Sequence, residues 1–429
     1  MIIAAVLFGL FFLFMFMSVP VSVALGMSTF ITSYIYEGND SLIDLASAMF
    51  SKLDNYALMA IPMFILAGNL LSKGSSAKRI VEFAKAFVGH LPGGLPIAAI
   101  FASIVFAAVS GSSPATVVAI GSIMFGAITA AGYPKKYAVG TITTAGSLGI
   151  LIPPSIVMII YGVTADVSIG KLFIAGIIPG LLIGFLLILV TYIGAKRLGF
   201  KRTTPASWKE RWQKFKEAFW ALMTIVIIIG GIYGGIFTPT EAAAVSAIWA
   251  LFIALFIYKD ISFRDLKNVF LESSKTSAMI LFIIANASVF AYFLTSEGIP
   301  QTLATIVSDM GLNKIMFLVV VNILLLIAGN FMEPSSIIMI MVPLLLPIAT
   351  MLGIDPIHFG VILTINMELG MLTPPVGLNL FVASGITGYS IKDIVYAVLP
   401  WFFVIFVGLL LITYIPEISL WLPNLMMGN

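Results

Sequence analysis

The chain has 429 residues, of which 60% are apolar and 10% are charged, and its mean hydropathy is +1.12. Soluble domains are roughly half apolar and roughly one quarter charged, so the composition excludes a soluble globular protein and predicts a polytopic membrane protein. No cysteine is present, which excludes disulfides, thiolate metal sites and cysteine nucleophiles. The net charge of +3 becomes informative only when the basic residues are assigned to the two sides of a membrane.

The chain begins with a series of apolar and amphipathic segments that predict helices. They comprise two spans, a short amphipathic segment, a third span and a basic amphipathic stretch, at 3–17, 21–36, 40–54, 56–72 and 76–90. No basic residue precedes the first apolar run, so we interpret it as a retained span and not as a cleaved signal. None of the long runs alternates with a two-residue period, which argues against a membrane β-barrel.

A re-entrant hairpin is predicted at 95–131. Its two apolar arms, 95–110 and 114–131, meet at the sequence Ser110-Gly-Ser-Ser-Pro114. At ~1.5 Å per residue the first arm reaches ~24 Å and the second ~27 Å, both short of a bilayer core of ~30 Å. We therefore expect the chain to enter the membrane and return to the same side.

A broken helix is predicted next, at 136–163, followed by a span at 171–195. The break falls at Leu148-Gly-Ile-Leu-Ile-Pro-Pro154, because a double proline removes two backbone donors. Nearly the same heptapeptide recurs 221 residues later, from Leu369 to Pro375. Unpaired backbone at membrane depth is tolerated only where it lines a cavity or binds something, so a duplicated broken helix points to a transporter's binding site.

The second half of the chain repeats the order of the first. Its predicted elements are spans at 218–237 and 241–258, a surface segment at 262–274, a span at 276–297, a hairpin at 314–352, a broken helix at 357–387 and a span at 393–414. Matches at nearly the same offset, such as Pro179 with Pro400, extend along some 200 residues and indicate a duplication. The basic segment 196–217 is interpreted as a cytoplasmic interfacial linker helix, not as a nucleic-acid site.

Each half has five spans, an odd number, so the two halves are predicted to insert in opposite directions. When 196–217 is placed in the cytoplasm, 19 of the 22 Lys and Arg residues fall on the cytoplasmic side. The exceptions are Lys52, Lys171 and Lys314. This distribution follows the positive-inside rule and predicts that both termini are periplasmic.

Oxygen atoms at the breaks and hairpin tips predict two Na⁺ sites. Carbonyls that precede the prolines lose their helical partners and form the negative end of a half-helix dipole, which suits Na⁺. The predicted ligands of the first site are Ser110, Gly149, Ile152 and Pro154. Those of the second are Gly329, Gly370, Thr373 and Val376.

The amino ends of the half-helices and hairpin arms suit an anionic substrate. The candidate contacts are Ser112, Ser113, Ser155, Asn330, Glu333 and Ser335. Ordinary helix capping is an equal alternative for these residues, and Ser113, which precedes a proline, is expected to be an N-cap. Glu333 and Glu368 are acidic residues that are predicted to lie within the membrane. Such residues are rare there, so both are candidate functional residues.

The sequence resembles the large membrane subunit of tripartite ATP-independent periplasmic (TRAP) transporters along its whole length. The resemblance rests on the two Gly-x-Leu-x-Pro-Pro breaks, Ser110-Gly-Ser-Ser-Pro114, Pro343-Leu-Leu-Leu-Pro347 and Thr238-Pro-Thr-Glu241. Length and detail look closest to the sialic-acid type. The fold class implied is an all-α elevator-type transporter with two inverted repeats.

The resemblance implies a transport subunit that takes up an organic anion with Na⁺ into the cytoplasm across a bacterial inner membrane, and the anion expected from it is sialic acid. A four-helix small membrane subunit and a periplasmic substrate-binding protein would be its partners, with no cofactor beyond Na⁺. The implied division places the scaffold spans and surface arms at 1–72 and 218–297, the transport-domain halves at 73–195 and 298–429, and the linker helix at 196–217.

Two other functions are considered. A stand-alone Na⁺–dicarboxylate symporter of related architecture would transport without partners. An intramembrane enzyme acting on a lipid or peptide is disfavoured, because no acid–histidine or acid–acid constellation is present. The two histidines, His90 and His358, fall at predicted helix or loop ends and are interpreted as interfacial.

Overall fold

The computed structural model describes residues 2–428, apart from the side chain of Asp40, and this part of the chain consists of helices and turns without a strand. Eight helices in it are long and apolar enough to cross a membrane. They are Tyr56–Lys73, Ser113–Ala130, Ile169–Arg197, Trp208–Tyr233, Pro239–Ile257, Phe263–Ser296, Pro334–Met351 and Ile391–Tyr414. Ser113–Ala130 and Pro334–Met351 are the second arms of the two hairpins, so re-entry of the hairpins from one side of the membrane stays a prediction. The predicted all-α polytopic fold is confirmed.

The helices of the first half agree with the predicted bounds to within two residues. In chain order they are Ile2–Phe16, Val21–Glu37, Asn39–Leu53, Tyr56–Lys73, Ser76–Val88, Gly94–Ser110, Ser113–Ala130, Lys135–Ser147, Ile156–Ala165 and Ile169–Arg197. Gly94–Ser110 and Ser113–Ala130 form hairpin 1, and residues 110–113 are its tip. Break 1, residues 148–155, separates the two parts of the first broken helix and begins with a 3₁₀ turn.

The second half has the same elements in the same order. Its helices are Trp208–Tyr233, Pro239–Ile257, Phe263–Ser296, Ile299–Asp309, Lys314–Gly329, Pro334–Met351, Pro356–Gly370, Leu378–Thr387, Ile391–Tyr414 and Glu417–Met427. Hairpin 2 consists of Lys314–Gly329 and Pro334–Met351, with residues 329–334 as its tip. Break 2 is formed by residues 371–377, between the two parts of the second broken helix.

The predicted separation of a surface segment at 262–274 from a span at 276–297 is wrong. One continuous helix, Phe263–Ser296, covers both. In the first half, Asn55 interrupts the equivalent stretch, because its side-chain oxygen accepts a hydrogen bond from Ala57 N at 2.9 Å and starts a new helix. At the equivalent point of the second half, the hydroxyl of Thr276 donates to Glu272 O at 3.0 Å and caps no new helix, and the helix continues.

The predicted linker helix at 196–217 is only partly helical. The preceding span ends at Arg197, and Gly199 follows with a φ of +84°, a conformation that stops a helix. The next helix starts after Ser207, whose hydroxyl accepts a hydrogen bond from Glu210 N at 3.2 Å, and continues into the first span of the second half. Two short helices, Ile299–Asp309 and Glu417–Met427, were not predicted at all.

The two broken helices form the centre of the protein. Residues 138–162 and 357–372 are all buried. Such complete burial agrees with their composition, since polar residues such as Thr144, Asn366 and Glu368 would be costly against lipid. Break 1 is therefore enclosed by protein along its whole length, whereas break 2 is buried at its two ends and exposed at Pro374, Pro375 and Val376.

Each half packs its broken helix against elements of the other half. The second part of each broken helix packs on the second arm of the other half's hairpin: Leu378–Thr387 on Ser113–Ala130, and Ile156–Ala165 on Pro334–Met351. The first part of each packs on the last span of the other half. This reciprocal pattern relates the repeats by a pseudo-twofold axis. Their insertion in opposite directions stays a prediction.

Candidate functional site

Each hairpin tip is hydrogen-bonded to the break of its own half. In the first half, Ile156 N donates to Gly111 O at 3.3 Å. In the second, Val376 N donates to Asn330 O at 2.9 Å. The equivalent contact in both repeats means that each pair of tip and break forms one structural unit.

The first predicted cation site is assembled by close backbone packing. A Cβ built on Gly149 would lie 2.5 Å from the carbonyl oxygen of Ser112, and one built on Gly111 would lie 2.8 Å from the carbonyl oxygen of Pro154. Ser110 is buried at the end of the first hairpin arm, with its hydroxyl 2.9 Å from that of Thr116. Predicted ligands from the tip and the break thus lie next to each other.

Ile152 lies in the same break but its side chain faces elsewhere. It packs against Gly180 of the following span, where an added Cβ would lie 2.9 Å from Ile152 Cγ1. Its amide donates to Leu148 O at 3.0 Å. Only the carbonyl of Ile152 is therefore a candidate ligand.

The second predicted site is also assembled by close backbone packing. A Cβ built on Gly370 would lie 2.7 Å from Gly329 Cα. The hydroxyl of Thr373 donates to Leu369 O at 2.7 Å, which leaves its oxygen able to accept or to bind a cation. The fourth predicted residue, Val376, has a side chain that is 40% exposed and contributes its amide to tip 2.

The candidate substrate residues at tip 1 and break 1 already have structural partners. Ser113 is not an N-cap: the helix begins at this residue, and its hydroxyl donates to Gly146 O at 3.1 Å. Ser112 occupies the N-cap position without a side-chain bond. The hydroxyl of Ser155 accepts from Met158 N at 3.3 Å and caps the second part of the broken helix. For Ser113 and Ser155, the structure favours a structural role.

At tip 2 the candidates are less constrained. Glu333 occupies the N-cap position without a side-chain cap bond, and Ser336 donates to one of its carboxylate oxygens at 3.4 Å. Asn330 is half-buried and Ser335 is buried in the first turn of the following helix. This end of a hairpin arm presents backbone amides and a polar side chain together.

Two buried polar residues near the breaks, Asn379 and Ser147, were missed by sequence reasoning. Asn379 Nδ2 donates to Ser113 Oγ at 2.6 Å and so joins the second broken helix to tip 1. Ser147 Oγ lies 2.7 Å from Glu368 Oε1. These two residues are separated by 221 positions, so the repeat offset itself could have identified the pair.

His358 was expected at an interface but is buried. Its Nε2 lies 3.3 Å from Thr413 O. The helix that carries it begins at the exposed Asp355, which caps it by accepting from Ile357 N at 2.7 Å, and becomes buried from Ile357 onwards.

Residues 8–418 match the family described as "Tripartite ATP-independent periplasmic transporter, DctM component". The chain belongs to this DctM family. Its members are transporter permease subunits, which excludes the intramembrane enzyme considered from the sequence and does not support a stand-alone symporter of another family.

Relatives of the DctM family share most of their length with this chain. The C4-dicarboxylate TRAP transporter large permease protein DctM of Rhodobacter capsulatus is 50% identical over 438 residues, which cover 99% of each chain. The sialic acid TRAP transporter large permease protein SiaM of Vibrio cholerae is 38% identical over 383 residues, covering 89% of this chain and 90% of that one. The expectation that the chain most resembles the sialic-acid type is therefore wrong, since the C4-dicarboxylate relative is more similar to it.

Among solved structures, the YdaH transporter of Alcanivorax borkumensis has a similar fold. It superimposes with a TM-score of 0.65 at 15% sequence identity, over 90% of both chains. At this identity the similarity supports the transporter fold alone.

Proposed function

We propose that this DctM-family permease takes up a C4-dicarboxylate together with Na⁺ across a bacterial inner membrane. The observation that carries this proposal is the paired contact between tips and breaks, which occurs once in each repeat. Two equivalent clusters of backbone oxygens at helix breaks are the arrangement that transporters use for coupling ions. The substrate class is supported by the C4-dicarboxylate relative at 50% identity.

The first Na⁺ site would use Ser110 with the carbonyls of Gly149, Ile152 and Pro154. The second would use Thr373 with the carbonyls of Gly329, Gly370 and Val376. Hydroxyl and carbonyl oxygens are hard ligands, and at both breaks the end of a half-helix adds a negative dipole. The close packing of Gly149 and Gly370 against the tips supports this proposal, because it keeps ligands from separate segments together.

The dicarboxylate would bind between the tips. Tip 2 offers Asn330, Ser335 and a helix N-terminus that favours a carboxylate. At tip 1 the hydroxyl of Ser112 is also free to bind a substrate carboxylate, since it makes no cap hydrogen bond. The Glu333 carboxylate has the same sign of charge as the substrate. We therefore assign it the role of repelling unsuitable anions, and not direct contact with the dicarboxylate.

Charge balance links the substrate to the driving force. A dicarboxylate carries two negative charges, so uptake with two Na⁺ moves no net charge, whereas a monoanion such as sialic acid with two Na⁺ moves one positive charge inward. One charge moving through ~100 mV yields ~2.3 kcal/mol. Two-ion uptake of a dicarboxylate would thus depend on the Na⁺ gradient and not on the membrane potential.

We further propose the assembly and movement implied by the family. A small four-helix membrane subunit would brace the scaffold at 1–72 and 218–297, and a periplasmic protein would deliver the anion. The halves at 73–195 and 298–429 would move together as an elevator domain. Periplasmic termini and the cytoplasmic segment 196–217 follow from the distribution of Lys and Arg.

The test is uptake into proteoliposomes that contain this permease and the small subunit. The periplasmic binding protein is supplied outside with radiolabelled succinate or sialic acid, under an inward Na⁺ gradient. We expect Na⁺-dependent succinate uptake that ceases when the binding protein is omitted. Uptake of sialic acid alone would refute the substrate assignment, and equal uptake without Na⁺ would refute the coupling.

A further inference from the structure

Ser147 and Glu368 are counterparts in the two repeats, and they contact each other. They lie 221 residues apart, the offset of the duplication, and Ser147 Oγ is 2.7 Å from Glu368 Oε1. Two residues related by a twofold axis can touch only if both lie at that axis. The contact therefore marks the pseudo-twofold axis of the protein, and both residues are fully buried there.

The contact joins the last turns of two helices immediately before their breaks. Ser147 ends the helix Lys135–Ser147 and lies two positions before Gly149. Glu368 holds the equivalent position before Gly370 in the helix Pro356–Gly370. A single side-chain contact thus connects the two segments that would supply carbonyls to the two Na⁺ sites.

Both side chains are held firmly at this contact. Ser147 Oγ also lies 2.7 Å from Thr144 O, which fixes the hydroxyl against its own helix. The second carboxyl oxygen of Glu368 is buried without a hydrogen-bond partner within residues 2–428. A buried carboxyl with one partner is costly to retain for stability alone, which points to a role beyond packing.

We infer that the Ser147–Glu368 contact couples the two cation sites, so that Na⁺ at one site raises the affinity of the other. This inference rests on the proposed Na⁺ coupling. An ion that draws carbonyls towards itself shifts the end of one half-helix, and a close-packed interior passes that shift to the neighbour through the shared contact. Ser147 and Glu368 are positioning residues in this scheme and do not bind the ions.

The test measures the Na⁺ dependence of uptake by the reconstituted complex at saturating substrate. We expect a Hill coefficient above one for the unaltered protein. Ser147→Ala and Glu368→Gln should each lower the Hill coefficient towards one. They should also raise the half-saturating Na⁺ concentration by about 5-fold or more, which is the lower end of typical coupling effects. The double variant should have the same Hill coefficient and half-saturating Na⁺ concentration as the more impaired single variant, because each substitution removes the same contact.

A matched control is Thr191→Val. It removes an equally buried contact between the repeats, in which Trp401 Nε1 donates to Thr191 Oγ1 at 2.7 Å, away from the breaks. We expect its Hill coefficient to be that of the unaltered protein. A similar fall in this control would show that any lost contact between the repeats has the effect, and would refute a specific role for Ser147 and Glu368.

The outcomes separate this inference from the proposed function. Uptake of the unaltered protein that is independent of Na⁺ would overturn both. Na⁺-dependent uptake with an unchanged Hill coefficient in Ser147→Ala would overturn only the coupling, as would a fall in maximal rate without a change in Na⁺ dependence. Ser147→Ala decides the question if Glu368→Gln does not fold, since it deletes only one hydroxyl.

Discussion

Replacing Gly149 with alanine tests the packing of tip 1 against break 1. The added Cβ would lie 2.5 Å from Ser112 O, almost one ångström short of the 3.4 Å at which ordinary contact begins. The nearby atoms belong to the backbone of tip 1, so no flexible side chain can move aside. The tip and the break must therefore separate, and the ligands of the first Na⁺ site must separate with them.

The expected size of the effect follows from the cost of overpacking. Forcing an extra methyl group into a close-packed site costs about 1–3 kcal/mol. If that cost falls on the cation-bound state, half-saturating Na⁺ rises by about 5-fold to 150-fold, because ~1.4 kcal/mol corresponds to a factor of ten. The measurement is Na⁺-dependent succinate uptake by the reconstituted complex, together with the melting temperature of the purified permease.

The matched control is Gly126→Ala on the second arm of hairpin 1, where nothing lies within 4 Å of an added Cβ. Because alanine is the better residue inside a helix, this variant should transport normally and be as stable or slightly more stable. If Gly149→Ala left half-saturating Na⁺ within twofold of the unaltered protein, tip 1 and break 1 could not form a cation site of this geometry.

Three further predictions concern the contact between repeats, helix capping and topology. Asn379→Leu removes the 2.6 Å hydrogen bond to Ser113 and should lower the melting temperature and uptake, with a stability loss of about 1–3 kcal/mol; an unchanged melting temperature would contradict the contact. Thr238→Ala removes a capping box with Glu241 and should cost about 0.5–2 kcal/mol, measured by denaturation, while uptake per folded molecule stays constant. Since the chain has no cysteine, single cysteines report topology: one replacing Arg202 should react only from the cytoplasm and one replacing Lys171 only from outside, and the reverse pattern would overturn the predicted orientation.

The elements of this protein were predictable because their determinants are local. A double proline breaks a helix wherever it occurs, and an arm of about 16 apolar residues is too short to cross a bilayer. Both hairpins and both breaks were therefore located from sequence to within a few residues. The continuous helix Phe263–Ser296 was missed, because the amphipathic character of its first part suggested a separate segment in the place where its repeat counterpart has one.

The sequence also placed the candidate cation ligands on tips and breaks that contact each other in the structure, because the repeat showed which breaks and tips are equivalent. Their binding of Na⁺ stays a prediction. The sequence could not determine the substrate, since backbone carbonyls distinguish an ion but not a solute. Comparison with relatives was needed to favour a C4-dicarboxylate over sialic acid.

The sequence by itself determined the duplication, the positions of the breaks and the all-helical membrane fold. Only the tertiary structure decided which groups meet across the repeats. Asn379 with Ser113 and Glu368 with Ser147 are pairs separated by 266 and 221 residues, and no local pattern specifies such contacts. They arise because each half packs its broken helix against elements of the other, which brings counterpart residues to the pseudo-twofold axis.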